Sequence, residues 1–245
     1  MNTLNIRRKI PEPIRKIFRL PYRIWSMHVD KEIISDLAQY LSMDEKEVRW
    51  FLKSEGRLTN YFWHSLNPKT EEDLKKFYEE NPFYIFDLVF WHSTRYQKAL
   101  RKRMVEMAQG SVLDYGGGVG FLSMDLARKG LAVDYADLQG RTFNFAKWLF
   151  SKRNYRIRMI NLSKEKISKK YDTVFCIDVI EHIKNPQSIL KEIVGYLNSK
   201  GRLILVVDHI FEGVPLHFKL HFKVSEYLTS IGMSQTDDPL LWIKQ

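Results

Sequence analysis

Ser111-Val112-Leu113-Asp114-Tyr115-Gly116-Gly117-Gly118-Val119-Gly120-Phe121 is the stretch that decides the fold. A short apolar strand ends in an acid, and four glycines follow within five positions. A helical pattern then runs from Phe121 to Lys129. Glycines at such a turn let the chain reverse sharply and let a ligand approach the backbone N–H groups closely. The N-terminus of the helix behind them adds positive potential. Outward from this loop, apolar strands and helical stretches alternate. Ala132–Asp137 reads as strand, Thr142–Lys152 as helix, Arg156–Asn161 and Thr173–Ile177 as strands. Ser188–Leu197 reads as helix with Pro186 near its start, Arg202–Val207 as strand, Val224–Ile231 as helix and Leu240–Ile243 as a last strand. The alternation predicts an α/β fold, a doubly wound and mostly parallel sheet with right-handed connections.

Residues 1–109 differ in character: they are rich in aromatic and charged residues and read as helices, an N-terminal helical cap on a 110–245 core. Lys31–Ser42 and Asp44–Ser54 are helical, the second opening on a capping box from Asp44 to Glu47. Thr70 caps a helix through Glu79, and Asn81-Pro82 breaks it. Phe83, Tyr84, Phe86, Phe90 and Trp91 form an aromatic cluster with two readings, core between helices or a lid over a site on the second half. A long helix is expected from Ser93 to Gln109. The first 25 residues carry seven cations and one anion, Glu12. That segment suits either a solvated arm packed on the body or peripheral contact with an anionic membrane.

The chain has 245 residues, 44% hydrophobic and 28% charged, enough for a sizeable core. A formal net charge of +10 favours acidic partners without choosing among them. One cysteine, Cys176, excludes a disulfide framework and a cysteine-based zinc site. No apolar run is long enough to span a bilayer, and the N-terminus lacks the continuous apolar stretch of a signal peptide. A cytoplasmic protein, peripheral to membrane in one reading, is expected.

Asp137 ends the second strand 21 residues after Gly116. A carboxylate there can accept both hydroxyls of a ribose. The dinucleotide pattern G-x-G-x-x-G/A fits poorly, because its last position falls on Phe121 or Ser123. Asp114-x-Gly116-x-Gly118-x-Gly120 fits instead. Asp114 sets negative charge beside the loop, which repels a pyrophosphate and suits a ligand carrying an ammonium.

On these residues the sequence resembles the class I S-adenosylmethionine-dependent methyltransferases, over about 112–245. The resemblance implies a Rossmann-like methyltransferase sheet and S-adenosyl-L-methionine as cofactor. It implies that Gly116, Gly117, Gly118 and Gly120, with Tyr115 among them, hold the methionine end and that Asp114 orders the loop. It places Asp137 on the ribose, with Leu138 beside the adenine. The family's acid after strand three is missing, so Asn161 or Leu162 takes that work. Ile177 and Asp178 end the fourth strand of the pocket.

The block from Tyr171 to Ile183 also fits the family. Its Asp178-x-x-Glu181-His182 is similar to the E-x-x-E-H of quinone-biosynthesis O-methyltransferases and of small-RNA 3′-end methyltransferases. Two readings follow. Asp178, Glu181 and His182, joined by His209 after the fifth strand, can hold a divalent metal. Alternatively, Glu181-His182 shapes the cofactor pocket and no metal is used. His182 or His209 can also act as a general base, with an ordinary pKa near 6.5. Tyr84, Trp91, His92, Arg95 and Tyr96 are the candidate lid residues. The expected activity is methyl transfer to a small-molecule or lipid-like acceptor, on oxygen. An RNA methyltransferase and an NAD(P)-dependent oxidoreductase are the alternatives. No RNA-binding module is legible, so nucleic acid is not the expected partner.

Overall fold

A computed structural model describes residues 29–54, 56–207 and 216–245. The basic segment 1–25 and His209 lie outside the described residues. Six helices precede the sheet: α1 (Lys31–Leu41), α2 (Glu45–Leu52), α3 (Arg57–Leu66), α4 (Glu71–Glu80), α5 (Tyr84–His92) and α6 (Arg95–Met107). The capping box forms as read: Asp44 accepts from the Lys46 N–H at 2.7 Å, and Glu47 accepts from the Asp44 N–H at 3.0 Å. Thr70 caps α4 by accepting from the Asp73 N–H at 3.1 Å. Two of these helices, α3 and α5, fall in stretches of the helical segment to which the sequence reading assigns no separate helix, and α5 is apolar nearly all round, which hides its period.

The sheet follows with β1 (Ser111–Tyr115), α7 (Phe121–Arg128), β2 (Ala132–Asp137), α8 (Arg141–Lys152), β3 (Arg158–Asn161) and β4 (Tyr171–Ile177). A 3₁₀ turn at Ile180–His182 leads to α9 (Pro186–Gly195), β5 (Leu197–Val206), α10 (Val224–Ser230), β6 (Met233–Gln235) and β7 (Leu241–Lys244). Strand order is β3-β2-β1-β4-β5-β7-β6. The first five strands pair in parallel, and β7 runs antiparallel to both β5 and β6. The expected last strand is thus real but reversed, and it carries an additional edge partner, β6, only three residues long. The order reverses between β1 and β4. By the switch-point rule the ligand crevice lies beyond the carboxyl ends of those strands.

Side chains alternate across the sheet. Leu113 and Tyr115 join a cluster with Val174, Cys176, Ile193 and Leu203, whereas Val112 joins one with Met104, Leu126 and Ile204. A further cluster merges the helical segment with the sheet layer. Leu37 of α1, Val48 of α2 and Val89 of α5 pack in one core with Phe145 and Leu149 of α8 and with Tyr135 of β2. Asp36, its side chain 4% exposed, stitches the same contact by pairing with Lys152 at 2.7 Å and with Arg153. The helices are therefore fixed over the crevice. No helix among the described residues is long and apolar enough to cross a membrane.

The shared core predicts joint unfolding. Leu37→Ala and Leu149→Ala, both fully buried, should each cost about 2–5 kcal/mol. Urea melts followed by tryptophan fluorescence and by far-ultraviolet dichroism should coincide. Helical signal lost in a separate, earlier transition would contradict the shared core.

Candidate active site

The crevice is built around one residue of the loop. Gly118 donates its N–H to the Asp137 carboxylate at 2.6 Å, and its carbonyl accepts from the Tyr135 hydroxyl at 2.6 Å. The Leu138 N–H also donates to Asp137, at 2.7 Å. Gly118 has φ +54°, where glycine is favoured. Gly117 is needed for a different reason: a Cβ there would lie 2.5 Å from the Tyr135 ring. The loop thus rests directly on β2. Beneath it Asp114, 3% exposed, accepts from the Ser123 hydroxyl at 2.6 Å and ties the end of β1 to α7.

Burial raises both carboxyls. Asp137 is pushed up to about 6, although the Gly118 and Leu138 N–H groups and Tyr135 oppose the shift. Asp114 is likewise pushed up to about 6 by burial, against its hydrogen bond from Ser123 and with repulsion from Asp137. The two sites therefore carry less than full negative charge in mildly acidic solution.

Beyond Asp137 the structure gathers Asn161 and Leu162. Asn161 pairs in register with Asp137 and donates to the Gln139 side chain at 2.6 Å, and the Leu162 N–H donates to the Asp137 carbonyl at 2.9 Å. Ser163 accepts from the Gln139 N–H and donates to Glu79 of α4, so this rim joins the sheet to the helices. Gln139, Ser163 and Glu79 were invisible in the sequence, because none sits in a recognisable spacing. Tyr115 is 9% exposed and its ring packs in the core, which leaves only its backbone to the crevice.

At the end of β4, Asp178 has φ +53° and accepts from the Trp91 indole N–H at 3.3 Å. Glu181 is 2% exposed. His182 Nδ1 lies 2.9 Å from the Leu216 carbonyl, and its ring stands edge-on to His217 at 4.5 Å. A carbonyl partner fixes the hydrogen on Nδ1 and leaves the lone pair on Nε2. Burial, and after it the neighbouring His217, pushes His182 down to about 3, against the hydrogen bond to Leu216. Among the described residues no group of three or more His, Cys, Asp and Glu could hold a metal ion.

The helical segment roofs this end. The Tyr78 ring packs edge-on against Tyr84 at 5.3 Å and against His182 at 6.0 Å. Burial and the carboxylates of Glu181 and Asp137 raise its hydroxyl pKa. Of the lid candidates, Tyr84 and Trp91 face the crevice, and His92 lines a cavity beside Gly116 and Gly117. Arg95 and Tyr96 are exposed. Tyr78 escaped the sequence reading because it lies in a charged helix.

Comparison with known proteins agrees with this geometry. Residues 113–203 match the family described as "Methyltransferase domain". The ubiquinone biosynthesis O-methyltransferase of Rickettsia akari (strain Hartford) is 26% identical over 208 residues, covering 83% of this chain and 74% of that protein. The enzyme of the same name from Xanthomonas euvesicatoria pv. vesicatoria (strain 85-10) is 29% identical over 132 residues, covering 52% of this chain and 54% of its own length. The chain thus spans about half of that second relative. Magnesium protoporphyrin IX methyltransferase from Synechocystis PCC 6803, solved with bound S-adenosylmethionine, shares the fold with a TM-score of 0.51 at 17% identity, over 75% of this chain and 90% of that one. The matched domain, the relatives and the fold support a class I S-adenosylmethionine-dependent methyltransferase, with S-adenosylmethionine as its cofactor.

The raised Asp137 carboxyl has a stability consequence. Its unfolded pKa is about 4, so between about pH 4 and 6 the folded chain holds a proton that the unfolded chain has lost. This group therefore subtracts stability as pH rises through that window, and the cost is complete above it. Asp137→Asn without ligand should gain on wild type by on the order of 1–2 kcal/mol between pH 4 and pH 7. Lost hydrogen bonds offset this by an amount that does not vary with pH. A difference in urea midpoint that stays constant across the window would contradict the buried, proton-binding state.

Proposed function

We propose that this protein transfers the methyl group of S-adenosylmethionine to an oxygen of a small-molecule or lipid-like acceptor. The observation that carries the reading is the half-buried Asp137 carboxylate locked to Gly118 at the switch point of the sheet. In this reading Asp137 accepts the two ribose hydroxyls, and Leu138, Asn161 and Leu162 border the adenine. The loop from Gly116 to Gly120 carries the methionine end, and Ile177 and Asp178 close the β4 side. The residues fit the group: a cradle that a Cβ would fill and a carboxylate whose present partners are backbone N–H groups that a diol can share.

When bound, S-adenosylmethionine supplies an electrophilic methyl on a sulfonium. The chain's own contribution is to align and to exclude water. Holding two reactants in line contributes up to ~7–11 kcal/mol. The helices through Met107 serve as the substrate cap, with Tyr78, Tyr84 and Trp91 set over the crevice. His182 enters as neutral imidazole. Its Nδ1–H is committed to Leu216, so Nε2 is the atom that can accept a hydrogen bond from an acceptor hydroxyl. Burial lowers its pKa, so it stands ready as a neutral hydrogen-bond acceptor at neutral pH. The oxygen acceptor is supported by the O-methyltransferase names of the two relatives.

Asp137→Ala should bind S-adenosylhomocysteine about 5- to 100-fold more weakly by calorimetry, from 1–3 kcal/mol of lost charged hydrogen bonds. Unchanged affinity would remove the ribose role. Stabilisation of the wild type by NAD(P) but not by S-adenosylhomocysteine would overturn the reaction class.

A further inference from the structure

The outer face of the helical segment carries large exposed rings. Trp50 of α2 is 64% exposed and Tyr61 of α3 is 71% exposed. They flank one corner. The Arg57 guanidinium folds back on the end of α2, donating to the Ser54 carbonyl at 2.9 Å and to that of Lys53. Each ring therefore stands about one helical turn from the corner. α3 has little core of its own: only Thr59 is buried, and Leu58, Phe62 and Leu66 stay part-exposed. One exposed ring on a surface is ordinary, whereas a helix with most of its apolar side chains in reach of water marks an interaction surface.

Charge surrounds this apolar stretch rather than entering it. From Arg57 to Lys69 the chain has no acidic residue, and Glu55 and Glu71 bound it in sequence. Lys53 and Arg57 stand at the start of α3. Past its end, Lys184 donates to the Lys69 carbonyl, which brings a cation from the β4–α9 connection to the same edge. The acids packed at the two ends are committed to backbone donors. Asp87 accepts from the Gly56 N–H at 3.1 Å, and Asp73 accepts from the Lys69 and Thr70 N–H groups at 2.9 and 2.8 Å. On α2, Glu45 pairs with Arg49 at 3.3 Å and Glu47 accepts from the Asp44 N–H at 3.0 Å. Aromatic rings on an acid-free helix with cations at both ends suit the headgroup region of an anionic bilayer, where rings enter the interface and cations meet lipid charge.

We propose that α3, with the end of α2, docks this protein on an anionic lipid surface. Trp50 and Tyr61 sit at headgroup level, and Lys53, Arg57, Lys69 and Lys184 face the lipid charges. The inner side of the same helix leads to the crevice: Trp63 packs on Phe77 at 5.1 Å, Phe77 on Tyr78 at 5.1 Å and Tyr78 on His182 at 6.0 Å. An acceptor dissolved in the bilayer thus reaches the crevice from the docked side. That delivery rests on the lipid-like acceptor proposed above, and the docking does not.

The test is co-sedimentation of the full chain with phosphatidylcholine vesicles, alone or containing about one quarter phosphatidylglycerol. The wild type should bind only the anionic vesicles, and less as salt is raised. Trp50→Ala combined with Tyr61→Ala should lower that partitioning about tenfold, with the urea midpoint and the S-adenosylhomocysteine affinity unchanged. Lys53→Gln combined with Lys69→Gln should lower it about tenfold at low salt and by less at high salt. Equal binding to neutral vesicles, or no binding at all, would overturn the proposal. So would undiminished binding of the ring variant, which would assign the lipid contact to the basic residues 1–25. A concentration-dependent dimer that the ring variant abolishes would make this face a contact between copies and overturn it too. Wild-type protein that binds the anionic vesicles but not S-adenosylhomocysteine would leave the docking standing and remove the reaction assigned above.

Discussion

The structure depends on how one carboxylate is kept beside a chain reversal. Asp137 ends β2 next to a loop with little side chain of its own, and Gly118 meets it with its N–H at 2.6 Å while Tyr135 holds the same residue by its carbonyl, in the following peptide, at 2.6 Å. A charged group in this place is expensive unless hydrogen bonds compensate. The compensation comes from backbone donors that a sugar diol can share. Loop conformation and site charge are thus one constraint. Gly117 lets the loop pass close over the Tyr135 ring, and the Tyr135 hydroxyl holds the Gly118 carbonyl while the Gly118 N–H meets Asp137.

That constraint explains why the helices cannot be a separate appendage. Tyr135 packs with Phe143 and Phe150, at ring separations of 5.7 and 5.6 Å. The same cluster holds α1, α2 and α5. The residue that supports the loop is therefore the residue on which the helical segment closes its core. Trp91 and Tyr78 reach the crevice because α4 and α5 are pinned from behind, and Ser163 bonded to Glu79 pins the rim at the opposite end.

The sheet was legible in the sequence wherever an apolar run was bounded by glycine or a charge. Ala132–Asp137 matches β2 residue for residue, and the loop from Gly116 to Gly120 with Asp137 was found by spacing alone. The failures have a common cause. β6 is three residues long and exposed on two of them, so it has no burial pattern to read. α5 is apolar on several faces, which erases the 3.6-residue period. Tyr78, Gln139 and Ser163 come to the crevice only through tertiary packing. No local spacing marks a polar residue that is buried by a neighbouring element. The family resemblance covered the sheet and was silent on the helices.

Net charge illustrates the same limit from the side of electrostatics. A chain of +10 points to acidic partners, yet the described site gathers Asp114, Asp137, Asp178 and Glu181. Its imidazoles, His92 and His182, are both pushed down to about 3 and carry no charge at neutral pH. The crevice is thus electrically negative inside a positive body. Burial, more than the repulsion between Asp114 and Asp137, keeps those two carboxyls raised. The basic surface is left to act on whatever approaches from outside, which is a separate question from what the loop holds.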